Sequence, residues 1–303
     1  MATSGRNDHV AFRRVLRRNA ARLARPLPWI GTDPWSVLVS EVMLQQTQTS
    51  RVIGPWSRFL EAFPTPTDCA NASLSDVLRL WGGLGYHRRA KALHDAARVI
   101  RDDFAGTVPS EVDDLRRLPG VGEYTANAVG SFAFGHHVAV IDTNVGRVLA
   151  RAVANRTLQH AEARTHARAL LPRTDVASFN QAMLDLGAQF CVANPRCGTC
   201  PVARVCRWNL DGGPDPAPRS AGVSRPQSIF QGSDRQTRGR VLAALREGPC
   251  SMSDLLTTMP GVDESRGDAL VDALVIDGLV ERRGRLVSLA GDERERRRSL
   301  GAR

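Results

Sequence analysis

The sequence is poor in amines and phenols. Lys91 is the only lysine among 303 residues, every other basic residue is an arginine, and Tyr86 and Tyr124 are the only tyrosines. Catalysis through a Schiff base needs a side-chain amine, so the whole chain offers one candidate for it. The covalent chemistry open to this protein is therefore restricted.

Long apolar segments are missing as well. No run of about 18 apolar residues, the length that spans a bilayer, occurs in the chain. The first ten residues, MATSGRNDHV, lack the apolar core of a signal peptide. We expect a cytoplasmic protein without a membrane partner, in a compartment where thiols stay reduced.

The charge of the chain is strongly positive. Lysine and arginine number 41 against 31 aspartate and glutamate residues, which gives a net charge of +10 and a pI near 10.4. This balance favours a polyanionic partner, and nucleic acid rather than a membrane surface. With 42% hydrophobic residues the chain can bury a substantial core, and its length suggests about two domains.

The predicted elements divide the chain into four parts. Residues 1–206 show amphipathic helical segments punctuated by Gly and Pro, and Asp33-Pro34 predicts a helix start. Residues 207–233 have the composition of a linker. Residues 234–290 predict three helices (236–246, 252–259 and about 264–277) and two strands around Arg283-Gly284, the order of a winged helix. Residues 291–303 form a basic tail that can contact phosphates.

Four of the six cysteines are clustered, with the spacing C-x5-C-x2-C-x5-C. They are Cys191, Cys197, Cys200 and Cys206. In a reducing compartment this spacing favours a metal centre over disulfides, and four thiolates suit either zinc or a 4Fe-4S cluster. Cys69 and Cys250 have no cysteine neighbours in sequence and are predicted to be core residues.

Two glycines precede a predicted helix in LPGVGEYTANAVG, residues 118–130. Gly120 and Gly122 predict a tight turn whose backbone N–H groups, at a helix N-terminus, face an anion such as a DNA phosphate. An ordinary turn between two helices has the same pattern. This segment alone leaves both interpretations open.

Two carboxylates have contrasting sequence surroundings. Glu41 is flanked by Val39, Val42 and Met43, so we expect a desolvated acid that can deliver a proton near neutral pH, although a glutamate on a wet helix face is the alternative. Asp142 follows an apolar run and precedes a helix, which predicts an N-cap whose carboxylate stays ionised. One acid and one stabiliser of a sugar cation form the arrangement found in glycosidases.

Aromatic and basic side chains occur together in the segment WGGLGYHRRAKAL, residues 81–93. Such a mixture favours a nucleic-acid surface, where rings stack on bases and cations contact phosphates. A buried ring beside a solvated helix face explains the pattern equally well. A second polar segment, Gln45, Gln46, Thr47 and Gln48, carries amides and a hydroxyl that suit contacts with base edges or sugars.

These segments occur in a characteristic order. SEVMLQQTQ, GLGYHRRAKAL, LPGVGEYTA, IDTNVGRVLAR, NQAMLDLGA and the cysteine loop together resemble the helix-hairpin-helix DNA glycosylases with an iron-sulfur cluster, most closely the MutY adenine glycosylases. The resemblance covers roughly residues 25 to 210. It implies a mainly α, two-lobed glycosylase fold with a 4Fe-4S loop. A small winged-helix-like α+β unit follows, in place of the MutT-like domain of the well-known members and as in shorter actinobacterial relatives.

The resemblance also implies catalytic roles. Glu41 protonates the adenine leaving group, Asp142 stabilises or transiently bonds the deoxyribose cation, and Tyr124 assists in the pocket. Endonuclease III-like enzymes carry a catalytic lysine at the position of Tyr124, and a phenol cannot form their Schiff base. The implied activity is that of a monofunctional base excision repair glycosylase, which uses water and leaves an abasic site.

The implied partner is double-stranded DNA with an A·8-oxoguanine or A·G mispair, bound by a monomer associated with the nucleoid. By similarity, residues 45–48 fill the gap left by the flipped adenine. Tyr86 wedges beside the opposite base, and the cysteines hold the cluster as a structural DNA-binding loop. Further positions implied to contact DNA or adenine are Trp29, Arg88, Arg89, Gly120, Val121, Gly122 and Gln181.

Some features depart from the family or leave its activity open. Ile30 follows Trp29 where a basic or polar residue is common, and the first cysteine interval is one residue shorter than the usual C-x6-C. A thymine or uracil mismatch glycosylase of the same superfamily would share Tyr124 and the cysteine loop, although LQQTQ and NQAMLDLG favour adenine. A non-catalytic DNA-binding protein that uses the winged helix is a third hypothesis.

Overall fold

The computed structural model describes residues 2–223 and 229–292, with side chains from residue 9 onward. The chain forms two compact units, each built from segments that are distant in sequence. The first unit contains Met1–Val37, Ser110–Asp113 and Gly122–Pro226, and the second contains Leu38–Pro109, Asp114–Val121 and Gln227–Arg303. No helix within the described ranges is both long and apolar enough to cross a membrane.

The described residues form fifteen α-helices and three short strands. The helices are α1 (Ala2–Leu23), α2 (Pro34–Leu44), α3 (Thr49–Ala62), α4 (Pro66–Asn71), α5 (Leu74–Leu80), α6 (Arg88–Asp103), α7 (Val112–Leu115), α8 (Glu123–Phe134), α9 (Thr143–Val148), α10 (His160–Leu170), α11 (Val176–Gln189), α12 (Arg207–Asp211), α13 (Asp234–Glu247), α14 (Met252–Thr257) and α15 (Glu264–Ile276). A π-helical segment, Leu149–Ala154, continues α9. The strands are β1 (Cys250–Ser251), β2 (Val280–Arg283) and β3 (Leu286–Leu289).

The first unit is a helical bundle around one apolar core. Helix α11 packs on α9 and on α1, and most of its length is buried, including all of residues 182–187. The core side chains include Phe12, Leu16, Val145, Phe179 and Met183. Burial of this apolar face holds the helices together and fixes the position of the turn that leads into α9.

Helix α2 begins as the sequence predicts. The backbone N–H groups of Trp35 and Ser36 donate to Asp33 Oδ1 over 2.9 and 3.0 Å, and Pro34 is the first helical residue. The capping carboxylate satisfies N–H groups that have no partner within the helix. The predicted helix start is confirmed, and it fixes the register that carries Glu41.

In the second unit, α6 packs against α4 and α5. Trp81 is completely buried, and its indole N–H donates to the Gly85 carbonyl over 3.0 Å. Trp81 is therefore a core residue. Of the two interpretations of this segment, a nucleic-acid surface or a buried ring, the structure supports the buried ring for Trp81. Cys69 is buried in the same unit, and Cys250 is half-buried.

The C-terminal segment has the element order α13, β1, α14, α15, β2, β3. Its antiparallel sheet has the strand order β1-β3-β2, with Val280 opposite Leu289 and Cys250 opposite Val287. This confirms the predicted small α+β unit with winged-helix order. The two-residue strand β1 was not predicted, because so short a strand has no alternating pattern.

This segment packs on α5 within the second unit. The guanidinium of Arg79 binds the buried Asp292 carboxylate over 2.5 Å and donates to the Arg246 carbonyl over 3.3 Å. A buried carboxylate needs a partner, and Arg79 supplies it. Through Asp292 and Arg246, Arg79 connects the C-terminal segment to α5 at two points. Independent folding of residues 234–290 as a separate domain stays a prediction.

The part of the predicted linker that follows Cys206 is packed rather than extended. Helix α12 lies there, and Asp215 binds Arg151 with its two carboxylate oxygens over 2.8 and 2.6 Å. Ala217 and Ser220 are buried, and the Ser220 hydroxyl accepts from the Leu158 N–H. Residues 224–228 and most of the predicted basic tail, 293–303, lie outside the described residues.

Candidate active site and nucleic-acid interface

Asp142 is the N-cap of α9, as predicted. Its Oδ1 accepts from the Val145 N–H over 2.8 Å, and its Oδ2 accepts from the Asn144 side-chain amide over 2.6 Å. Burial raises the pKa of the Asp142 carboxyl, while these hydrogen bonds and the charge of Arg147 act to lower it. Burial outweighs these donors, so the net pKa is raised, in the direction opposite to the predicted ionised carboxylate, and the donors offset part of that rise.

Two arginines connect the helix after Asp142 with the cysteine loop. Arg147 donates to the Asn144 side-chain oxygen and to the Cys191 carbonyl, each over 2.7 Å, so it orients the amide that binds Asp142. Arg151, which is 1% exposed, donates to the carbonyls of Val192 and Ala193 over 2.6 and 3.0 Å. The cysteine loop is thus bonded to the same helical segment that Asp142 begins.

The four clustered cysteines line one small, mainly apolar cavity together with Leu186, Phe190 and Val202. Burial raises the pKa of Cys200 to about 11. In the part of the chain that the structure describes, no three His, Cys, Asp or Glu side chains are arranged to hold a metal ion. The structure therefore brings the predicted ligands to one place without displaying a formed metal site.

Tyr124 lies in the first turn of α8, two residues after the N-cap residue Gly122. Its side chain packs on the core of the first unit and lines a cavity of about 460 Å³, together with His137, Arg164 and Arg168. Tyr124 is therefore accessible from a basic cavity, as a pocket residue would be.

Gln181 belongs to a network that the sequence did not reveal. Its side-chain amide donates over 3.0 Å to Oδ1 of the fully buried Asp185, which also binds Arg25 over 2.6 Å. Among the described residues, Asp185 Oδ2 is buried without a hydrogen-bond partner. The only available signal was the four-residue spacing of Gln181 and Asp185, which puts both on one helix face. Trp29 is buried and Ile30 is exposed.

Glu41 lies in the last half of α2 and is 5% exposed. Its neighbours Val39, Val42 and Met43 are buried too, so the helix has no wet face at this point. The position predicted from the apolar flanks is confirmed. A carboxyl group removed from water in this way favours its protonated form.

Arg89 caps the C-terminal end of α2. Its guanidinium donates to the carbonyls of Val42 and Met43 over 3.0 Å and to the Thr47 hydroxyl over 2.9 Å. Burial lowers the pKa of Arg89 to about 10. Arg89 therefore positions the polar residues 45–48, in which Gln46 and Gln48 are exposed. Its predicted contact with DNA stays a prediction.

The glycine turn contacts this polar segment. The Gln45 amide donates to the Gly120 carbonyl over 3.3 Å. Gly120 has a φ of +77°, and a Cβ there would lie 2.7 Å from the Cβ of Ala92, so both backbone and packing require glycine. Val121 is buried, which leaves the backbone of this turn as the part that could contact a phosphate.

Tyr86 adopts a left-handed conformation with φ of 48° and is contacted by the C-terminal segment. Its hydroxyl accepts from Arg235 over 2.8 Å, and the guanidinium carbons of Arg89 and Arg235 lie 5.1 and 5.6 Å from the ring centroid. Arg88 is exposed and forms an ion pair with Asp277. Both predicted DNA contacts therefore lie beside residues of the winged-helix-like segment.

Comparison with known proteins assigns this molecule to a class. Residues 39–173 match the HhH-GPD superfamily of base excision DNA repair proteins. The adenine DNA glycosylase of Mycobacterium tuberculosis is 45% identical over 271 residues, which cover 86% of this chain and 87% of that protein. The chain belongs to the HhH-GPD superfamily, which confirms the resemblance predicted from the sequence motifs.

Solved structures agree on the fold. A thermostable thymine-DNA glycosylase matches with a TM-score of 0.63 and 27% identity, covering 68% of this chain and 98% of that one. A trapped covalent intermediate of endonuclease III with DNA matches with a TM-score of 0.56 and 26% identity, covering 66% and 97%. The predicted mainly helical glycosylase fold is confirmed.

Proposed function

We propose that this protein is a monofunctional DNA glycosylase that hydrolyses the N-glycosidic bond of adenine mispaired with 8-oxoguanine or guanine. Its similarity to an adenine DNA glycosylase along 86% of the chain supports the base. The observation that carries the chemistry is the burial of Glu41 among apolar side chains. A desolvated carboxylic acid is the proton donor that a leaving adenine needs.

The reaction proceeds by dissociation. Glu41 gives its proton to the departing adenine, and the electrons of the glycosidic bond leave with the base. Asp142, held by Val145 and Asn144, stabilises the positive charge that develops on deoxyribose. Water then adds to the sugar and loses a proton, which leaves an abasic site. Tyr124 assists within the pocket.

The surroundings of the only lysine support water, rather than an amine, as the nucleophile. The Nζ atom of Lys91, the only side-chain amine, lies 2.6 Å from Asp95 in an ion pair on α6. The only side-chain amine is thus engaged in a contact within its own helix, which does not support its use as a nucleophile. We therefore expect base release without strand cleavage until alkali is added.

The four cysteines are proposed to hold a 4Fe-4S cluster, with zinc as the alternative. Their convergence on one cavity supports this ligand set, because such clusters bind four thiolates. The cluster would supply no chemistry to base release. Arg147 and Arg151 would fix the loop that holds it through the carbonyls of residues 191–193.

The proposed DNA interface combines the polar residues 45–48, Tyr86, Arg88 and the backbone of residues 120–122. Trp29 and Gln181 are proposed to line the adenine pocket. The arginine excess of the chain and the DNA-bound structure of endonuclease III support double-stranded DNA as the partner. We place the enzyme with the chromosome, in the cytoplasm.

The test is excision from A·8-oxoguanine, A·G, T·G and U·G duplexes, scored with and without alkali. The wild-type protein should release adenine, and Glu41→Gln should bind DNA but lose base release by roughly 10²–10⁴-fold. Glu61→Gln, at an exposed position on α3, is the matched control and should retain activity. Equal excision by Glu41→Gln would refute its assignment as the acid.

The same panel tests the second candidate. The structural match to a thymine-DNA glycosylase favours a thymine or uracil mismatch enzyme as that candidate. Preference for T·G over A·8-oxoguanine would overturn the adenine proposal. Iron is distinguished from zinc by a brown protein that absorbs visible light.

A further inference from the structure

The second unit contains a large cavity between the loop of residues 83–89 and helix α13. We call it the α13 cavity; its volume is about 780 Å³. The α13 side is formed by residues 234–246, and Phe230, Leu274 and Leu279 complete the lining. The C-terminal segment thus contributes most of one wall.

The α13 cavity is strongly cationic. Six arginines and one carboxylate, Asp234, line it. Asp234 forms its ion pair over 2.6 Å with Arg266, which does not line the cavity. Asp277 neutralises part of the charge by binding both Arg88 and Arg238. The lining arginines are Arg51, Arg88, Arg89, Arg235, Arg238 and Arg246.

Several polar groups of the lining have no partner among the described residues. His87 Nε2 and Arg89 Nε are buried without a hydrogen bond. The Arg246 guanidinium forms no hydrogen bond or ion pair within the described ranges, although its backbone carbonyl accepts from Arg79. Burial and the charges of Arg246, Arg89 and Arg238 lower the pKa of His87 to about 4. Polar groups without partners are costly when buried, and guanidinium groups can only donate, so this arginine-rich grouping favours a ligand that accepts hydrogen bonds.

The neighbouring helix α15 is acidic, in contrast to the arginine-rich lining of the α13 cavity. Residues 263–277 carry five acidic side chains and one basic one, Arg266. Arg282, on strand β2, is already bound to Asp268 over 2.9 Å and to Asp272 over 3.5 Å. In helix-turn-helix proteins a recognition helix enters the major groove, where phosphates repel such acids. Helix α15 is therefore unsuited to the usual role of a winged helix.

We propose that the α13 cavity binds a backbone phosphate of the DNA, and that α13 rather than α15 connects the C-terminal segment to the nucleic acid. The ligand rests on the proposed function, which makes DNA the substrate. Phosphate oxygens accept several hydrogen bonds and suit guanidinium groups, so one phosphate would give the half-buried Arg246 guanidinium an acceptor beside the ring of His87. The contact holds the strand without reading its sequence.

The test compares Arg246→Met with Arg240→Met. Arg240 is on the same helix but is exposed and does not line the cavity, so the pair removes equal charge from two places. Affinity is measured over a range of salt concentrations with a duplex that carries a tetrahydrofuran abasic analogue. Arg246→Met should weaken binding about tenfold and reduce the slope of log K against log salt by about 0.9. Arg240→Met should leave both nearly unchanged.

Arg246→Lys keeps the positive charge but changes the packing of the side chain. It should therefore restore most of the salt dependence that Arg246→Met loses. A wild-type slope and affinity in Arg246→Met, or equal losses in both methionine variants, would overturn the proposal. A change of melting temperature without a change of slope would also overturn it, because the cluster would then be structural only.

A second measurement needs no substitution at Arg246. In wild-type protein labelled with ¹⁵N-histidine, the ring signal of His87, assigned by its loss in His87→Gln, should shift when the duplex binds. An unchanged His87 signal at saturating DNA contradicts the proposal. Both measurements use a duplex with no base to release, so a failed adenine assay would refute the proposed function and leave this test intact.

Discussion

Arginine has different roles in the two units. In the first unit, Arg147 and Arg151 direct their guanidinium groups at carbonyls of the cysteine loop and at Asp215. In the second unit, Arg79 and Arg89 bond internally in the same way, but the Arg246 guanidinium has no partner among the described residues. Internally bonded guanidinium groups hold a structure together, whereas groups that lack acceptors are prepared for a ligand. A guanidinium that lacks an internal acceptor is therefore the stronger candidate for a DNA contact, whatever the number of arginines in the sequence.

The largest expected effect is on the stability of the first unit. Replacing Arg151 by Met leaves Asp215 and the carbonyls of residues 192 and 193 without their donor. Arg151 is buried but Asp215 is exposed, so the loss comes mainly from backbone carbonyls left without their donor and should be about 1–3 kcal/mol. Urea unfolding followed by circular dichroism should show a loss of this size.

Arg156→Met is the matched control for that experiment. Arg156 binds Glu162 over 2.7 Å, but its side chain is half exposed, so its loss should cost no more than about 1 kcal/mol. Equal losses in the two variants would show that the cysteine loop does not depend on Arg151, and the contrast between the units would lose its basis.

The next effect concerns catalysis and follows from the proposed function. Asn144→Ala removes the donor to Asp142 Oδ2, a bond that favours the ionised carboxylate. The pKa of Asp142, already raised by burial, should rise further. Because ionised Asp142 is needed, the acid limb of the pH–rate profile should move to higher pH, and kcat near neutral pH should fall about tenfold.

Asn209→Ala is the control for this change, since within the described ranges that amide donates to the Ala203 carbonyl alone. It should leave the profile unchanged. A uniform fall of rate in Asn144→Ala at every pH, with the limb in its original place, would mean that the amide does not act through the ionisation of Asp142.

Local chemistry made several features predictable from the sequence. The caps at Asp33 and Asp142 depend on side chains two to three residues from their partners, so the pattern of a few neighbours was enough. The burial of Glu41 followed from its apolar flanks. The helices and the strand pair of the C-terminal segment were predicted within about two residues of their ends for the same reason.

Long-range contacts were not predictable in this way. Arg89 contacts α2 from more than forty residues away, and Asp185 takes its ion-pair partner Arg25 from 160 positions earlier in the chain. Asp215 appeared to belong to a linker because Gly and Pro surround it, yet its pairing with Arg151 depends on packing. A single sequence displays composition and spacing, but it does not display which distant segments meet.

The smallest expected effect is an increase in DNA affinity. Burial acts to raise the pKa of Asp277, but the hydrogen bonds and charges of Arg88 and Arg238 outweigh it, so the net pKa is lowered and the carboxylate is ionised at neutral pH. Asp277→Asn should release two guanidinium groups beside the α13 cavity. Binding of the abasic-analogue duplex at low salt should strengthen by roughly two- to fivefold, with a steeper salt dependence.

Asp272→Asn removes the same charge from an exposed position on α15 and is the matched control. A general reduction of negative charge would strengthen binding equally in both variants, whereas a local phosphate site predicts a larger change in Asp277→Asn. If Asp277→Asn binds no more tightly than Asp272→Asn, the arginines that Asp277 holds do not face the DNA. Arg88 and Arg238 of the second unit would then be structural, like Arg147 and Arg151 of the first.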